Sequence, residues 1–100
     1  MLKRKKKLEI TDDTLLQRDS EQEFTYIDGE AVMLSLKQGE YYGLDSVGTR
    51  IWELLENPIA FSSLVDRLMD EFEVSREECE ADTREYLETL YKKHLLKEEG

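Results

Sequence analysis

Few side chains in this sequence could carry covalent or metal chemistry, and they do not come as a set. His94 is the sole histidine and Cys79 the sole cysteine. Cys79 falls on an apolar helical stripe beside Glu77, Glu78 and Glu80. Burial and negative neighbours both raise a thiol's pKa, which argues against a reactive thiolate. One cysteine can form neither an intramolecular disulfide nor a Cys-rich metal site. His94 lies near the end of the last helical stretch, where a partly positive imidazole suits the helix dipole. The carboxylates lie largely along helical stretches, with no spacing of a metal cage. No P-loop, dinucleotide fingerprint, HExxH or calcium loop occurs. The sequence implies no catalytic residue, no metal and no cofactor. It reads as a binding module.

Recognition chemistry is better represented. Tyr41, Tyr42, Gly43 and Leu44 form an aromatic-rich segment, and Asp82, Tyr86 and Leu90 recur at helical spacing on one side of a later segment. The chain that must position them has 100 residues, 38% charged and 39% hydrophobic. That supports one domain with a thin, contiguous core. No run of about 18 apolar residues is present, so no membrane span is expected. The N-terminus lacks an apolar signal region, and a reducing cytosol is the expected home.

Charge is unevenly placed. Lys3, Arg4, Lys5, Lys6 and Lys7 hold five of the 14 basic side chains, and all 24 acidic ones lie at Glu9 or beyond. Residues 1–7 are expected to be a disordered basic arm, either a solvated tail or a tether for nucleic acid or an acidic partner. Residues 8–100 form the domain. Nine basic against 24 acidic side chains leave this body at −15. Such a surface repels phosphate backbones.

The first half has strand character. Thr14–Arg18, Phe24–Ile27, Ala31–Leu36 and Tyr41–Leu44 are candidate strands. Asp28-Gly29 signals a tight turn, and Gly39 suits positive φ in a turn over 37–40. The nearly continuous apolar run 31–36 predicts a strand covered on both faces. From Asp45 the period changes to 3.6. Asp45 or Ser46 caps a helix whose apolar positions are Val47, Ile51, Trp52, Leu54 and Leu55, and Asn57-Pro58 ends it. Gly48 inside that helix implies close packing against the sheet. A second helix carries Phe61, Leu64, Val65, Leu68, Met69 and Phe72, with no capping side chain near Ala60. Ser75 and Glu78 form a capping box for a third. Its broad face holds Cys79, Thr83, Tyr86, Leu87, Leu90, Tyr91 and His94, and Leu95-Leu96 follows as an apolar tail.

The expected fold is α+β: an N-terminal three-stranded antiparallel sheet followed by a three-helix bundle, a winged-helix-like domain. A winged helix raises the prospect of DNA binding through the third helix. That helix carries Arg76 and Arg84 against Glu77, Glu78, Glu80, Asp82, Glu85 and Glu88. A major groove would expel it unless the charge were strongly compensated, which leaves a winged-helix DNA-binding protein as the lesser alternative. No nucleic-acid partner is expected.

Residues 39–96 resemble the PqqD family, also called the RiPP recognition element. It is the leader-peptide-binding module of ribosomal peptide natural product pathways. The resemblance rests on Gly39-Glu40-Tyr41-Tyr42-Gly43-Leu44-Asp45, Gly48, Ile51-Trp52-Glu53-Leu54-Leu55, Leu64–Leu68, Phe72-Glu73-Val74-Ser75, Asp82, Tyr86-Leu87, Leu90 and Leu95-Leu96. Three departures are visible: Asp45 stands where the family usually has Asn, Asn57-Pro58-Ile59 replaces a Gly-containing turn, and His94 replaces a terminal Gly. The Gly-Glu-Tyr-Tyr segment is similar to stand-alone recognition proteins of lasso peptide pathways.

The resemblance implies that a precursor's leader peptide adds as an antiparallel strand beside Tyr41–Leu44, in a cleft against the third helix. It would then be presented to a maturation enzyme such as a leader peptidase, a cyclase or a radical SAM enzyme. Alternation puts Tyr41 and Gly43 on one face and Tyr42 and Leu44 on the other. Either one tyrosine lines the cleft or both only cover the sheet, and Leu44 suits the core. Asp82 matches the family's early Asp, as a leader contact or as part of a solvated face. Tyr86 and Leu90 fit groove or core. Two further expectations remain open: a structural adaptor for a biosynthetic enzyme, and a homodimer through the same strand edge.

Overall fold

Asp28 and Gly29 both take positive φ, 53° and 82°, the geometry of a two-residue hairpin turn. They join strands β2 (Glu23–Ile27) and β3 (Glu30–Ser35), which pair from Ile27↔Glu30 to Glu23↔Leu34. Gly39, with φ 64°, precedes β4 (Glu40–Gly43), antiparallel to β3 in the register Met33↔Tyr42 and Leu34↔Tyr41. The sheet order is β2-β3-β4. The computed structural model describes residues 8–19, 22–35 and 39–97. The basic arm, residues 1–7, and Leu36 at the end of the third candidate strand lie outside them.

Period-2 alternation sorts this sheet. Ala31 and Met33 are fully buried, whereas Val32 and Leu34 face outward and are half-buried. The expected coverage of this strand on both faces therefore does not hold for the described residues. Ile27 and Tyr41 share the outer face with Val32 and Leu34 and are 58% and 75% exposed.

The period then lengthens as expected, into α1 (Ser46–Leu54), α2 (Phe61–Glu71) and α3 (Arg76–Lys92). The Asp45 side chain accepts from the Gly48 N–H at 2.7 Å, which makes Asp45 the N-cap. Ser75 does the same for the Glu78 N–H at 3.2 Å. Trp52, Phe61, Leu55, Leu64, Val65 and Leu87 are fully buried in the core. Val47 is not on that face. It is 40% exposed, because it sits one turn before Ile51 at the rim of the helix, where α3 leaves a gap.

Two strands escaped or exceeded the sequence reading. Thr14–Arg18 shortens to β1 (Leu15–Leu16), and β1 pairs with an unforeseen strand, β5 (Ile59–Ala60). This N-terminal strap also caps α2. Thr14 and Asp12 carbonyls accept from the Phe61 and Ser62 N–H groups at 3.0 Å each, in place of the missing capping side chain. Leu95 and Leu96 are buried, and Leu96 forms a bridge with Arg18. The Arg18 guanidinium lies over the Phe24 and Trp52 rings, at 4.8 and 5.2 Å, and donates to the Trp52 carbonyl. His94 is not on the α3 face. The helix ends at Lys92, and His94 takes φ 61° in an exposed left-handed turn. That is the backbone state a glycine adopts without penalty.

Sheet and helices are joined at one buried hydroxyl. Thr49, 5% exposed, accepts from the Ala31 N–H at 2.9 Å and donates to the Leu44 carbonyl at 3.4 Å. The Leu44 N–H in turn donates to the Ala31 carbonyl. Replacing Thr49 with the near-isosteric Val leaves the buried Ala31 N–H unsatisfied. The expected loss is about 1–3 kcal/mol of unfolding free energy, read by chemical denaturation. A variant as stable as the parent would show that the hydroxyl does not join the two layers.

Candidate functional site

β4 is the terminal strand of its sheet, and its outer edge pairs with no strand among the described residues. Between α1 and α3 lies a groove of about 400 Å³, whose lining begins at Asp45, two residues beyond the end of β4. Val47 and Ile51 of α1 and Tyr86 of α3 give this groove an apolar floor, and Asp45, Asp82 and Glu85 stand at its rim. A helix repeat explains the second wall. Residues 82, 85, 86 and 89 fall on one stripe of α3, next to the core stripe of Cys79, Thr83, Leu87 and Leu90.

The sequence candidates separate into three groups. Asp82 and Tyr86 line the groove together. Tyr41, Tyr42 and Gly43 belong to the edge strand, with Tyr41 turned to the outer face and Tyr42 half-buried toward the helices. Lys93, at the end of α3, places its Nζ 3.8 Å from the Tyr42 ring centre, so Tyr42 bridges β4 and α3. Tyr42 also donates to the Glu40 carboxylate, and this bond chiefly raises its phenol pKa. Leu44 and Leu90, 8% and 2% exposed, lie in the core and do not line the groove. Asp45, Val47, Gly48, Ile51, Thr83, Glu85 and Thr89 also line the groove and are not among the site residues expected from the sequence. Asp45 was legible only as a helix cap, and Val47 as core.

Gly48 is packed against α3, not against the sheet. A Cβ built on Gly48 would lie 2.3 Å from the Tyr86 Oη and 2.7 Å from its Cζ. The bare backbone of α1 therefore receives the tip of the Tyr86 ring. The Tyr86 hydroxyl is buried and has no hydrogen-bond partner among the described residues. Burial first, and the nearby Asp45 carboxylate second, hold this phenol well above its ordinary pKa. It is a neutral donor at every working pH. Among the described residues no group of three or more His, Cys, Asp or Glu gathers as metal donors.

Comparison with known proteins places this arrangement in context. The family model for coenzyme PQQ synthesis protein D (PqqD) matches residues 30–96. TbiB1, solved in complex with the TbiA(beta) leader peptide, is 38% identical, with a TM-score of 0.75 over 84% of this chain and 98% of that one. The PqqD truncation of Methylobacterium extorquens PqqCD, described as a functional, stand-alone RiPP recognition element, superposes with a TM-score of 0.73. It covers 90% of this chain and 96% of its own at 15% identity, a likeness of fold alone. No curated protein matches the chain.

The Gly48–Tyr86 contact predicts a change of sign. Ala at a helix interior is favoured over Gly by up to about 1 kcal/mol. In the parent, Gly48→Ala must push the Tyr86 ring aside, an overpacking cost of about 1–3 kcal/mol that outweighs this gain. In a Tyr86→Ala background the obstacle is gone, and Gly48→Ala is expected to stabilise by up to about 1 kcal/mol. Denaturation of the four proteins tests it. Equal effects in both backgrounds would remove the contact from the account.

Proposed function

The chain belongs to the PqqD family of RiPP recognition elements, and we propose that it binds a precursor's leader peptide as an added strand along β4. It is a binding domain without catalytic machinery of its own. The observation that carries this reading is an open strand edge at β4 followed, two residues on at Asp45, by the lining of a groove against α3. An edge strand offers unpaired N–H and C=O groups that an extended peptide satisfies, whatever its side chains. The groove then reads alternate side chains. TbiB1, 38% identical to this chain, was solved in complex with a leader peptide.

In this reading Tyr42 and Gly43 supply the backbone edge and Tyr86 and Asp82 meet the peptide's side chains. Leader peptides order on binding, which offsets part of the contact energy. The bound precursor is handed to a maturation enzyme: a leader peptidase, a cyclase or a radical SAM enzyme. The Gly39–Tyr42 segment favours a lasso peptide pathway in the cytosol. No helix among the described residues is long and apolar enough to cross a membrane.

The immobilised domain, exposed to a lysate of its source cells, is expected to retain a short precursor that its own N-terminal segment competes away. Tyr86→Ala and Asp82→Ala should each weaken that binding at least several-fold while the thermal transition stays cooperative. Recovery of protein partners without any precursor would favour the adaptor reading. Concentration-dependent size measurements, with and without the precursor, separate peptide capture from self-pairing along β4.

A further inference from the structure

Several acids on or beside α1 to α3 are neutralised by arginines, and among the described residues the three that border the groove are not. Glu71 pairs with Arg50 at 2.7 Å, Asp66 and Glu80 with Arg76, and Glu56 with Arg18. These arginines are thus engaged elsewhere. Among the described residues no cation pairs with Asp45, Asp82 or Glu85, although all three border one groove. Asp45 is held only by the Gly48 N–H. Three like charges around a concave apolar surface repel one another and focus a negative field into it. Val47, 40% exposed at that surface, is apolar area waiting for a partner.

We infer that the groove between α1 and α3 selects a lysine or arginine of the bound peptide. The aliphatic stem lies on Val47, Ile51 and Tyr86, and the cationic head reaches Asp45, Asp82 and Glu85. Long basic side chains are built for this division, with an apolar stem and a charged tip. A purely apolar side chain fills the floor and leaves the three carboxylates uncompensated. An acidic one is repelled. Sequence selectivity therefore comes from one basic position, while the strand edge supplies affinity indifferent to sequence. The body's charge of −15 also draws a basic segment toward the domain before contact.

This inference rests on the strand-addition reading, and the test separates the two. A random-peptide display library is selected against the intact domain and against a variant carrying Asp45→Asn, Asp82→Asn and Glu85→Gln. Asn caps a helix as well as Asp does, so the variant keeps its fold. A second variant, Glu73→Gln, Glu77→Gln and Glu88→Gln, removes the same charge away from the groove. Peptides selected by the parent should carry Lys or Arg at one fixed position. Their binding should fall about three- to tenfold on the groove variant and change little on the other, the range expected of partly exposed ion pairs acting together. Replacing that basic residue with norleucine should abolish the difference between parent and groove variant. Selected peptides with no basic position, or an equal loss on both variants, would overturn charge selection and leave strand addition standing. Failure to select any peptide above the Tyr86→Ala background would overturn strand addition itself, and the inference with it.

Discussion

The missing side chain at Gly48 sets how closely α1 and α3 approach. Tyr86, which lines the groove, ends with the tip of its ring against the bare backbone of α1. The same contact strips the hydroxyl of water and leaves it without a partner. A buried unpaired hydroxyl costs free energy, and the domain retains it at the one place where two helices would otherwise close. Asp45 links this contact to the sheet side. It caps α1 through the Gly48 N–H, one residue before Thr49 ties the same turn to Ala31 and Leu44. Three consecutive functions thus occupy one helical turn: cap, close approach and inter-layer hydrogen bond.

Much of this was legible in the residues, through periodicity and cap chemistry. The change from period 2 to 3.6 at Asp45, the Asp28-Gly29 hairpin, the turn at Gly39 and the Ser75 cap all rest on local preferences that tertiary packing reinforced. The failures share a different cause. β5 and the backbone capping of α2 depend on a partner more than 40 residues away, at Leu15↔Ala60, and no local pattern encodes that. Val47 was assigned to the core because a hydrophobic residue at helical spacing says nothing about whether the facing helix has diverged. Gly48 was recognised as a close approach but given the wrong neighbour. Of the groove, Tyr86 and Asp82, with Glu85 flanking them, were accessible from spacing and resemblance, whereas the second use of Asp45 required the geometry of two helices together.

An open strand edge is ordinarily an invitation to aggregate. Here the edge strand is four residues long and begins with Glu40, and the body around it carries a large excess of acid. Two copies approaching edge to edge bring like charges together, while a short peptide brings few or opposite ones. The composition that argues against nucleic acid thus also disfavours pairing of copies along the edge. In the proposed reading, charge further steers a peptide inward and discriminates at the groove. The thin core tolerates this because most of its acids are displayed on the helix faces away from Trp52 and Phe61, and several are neutralised by arginines within or between helices.

The N-terminal strap has a kinetic consequence. It is held by β5, by the Leu55 carbonyl and by the C-terminal segment, with Arg18 bridging Leu96 and the Lys97 N–H donating to the Gln17 carbonyl. Contacts spanning nearly 80 residues are among the slowest to form, since the intervening loop must close first. During synthesis the strap can dock on Leu55, β5 and the start of α2 once residue 62 has emerged, and it caps α2 from that point. Its second set of contacts, to Leu95, Leu96 and Lys97, must wait until α3 is complete. Closure of the strap is thus a two-stage step, and the domain stays half latched until the segment after α3 pairs with Arg18.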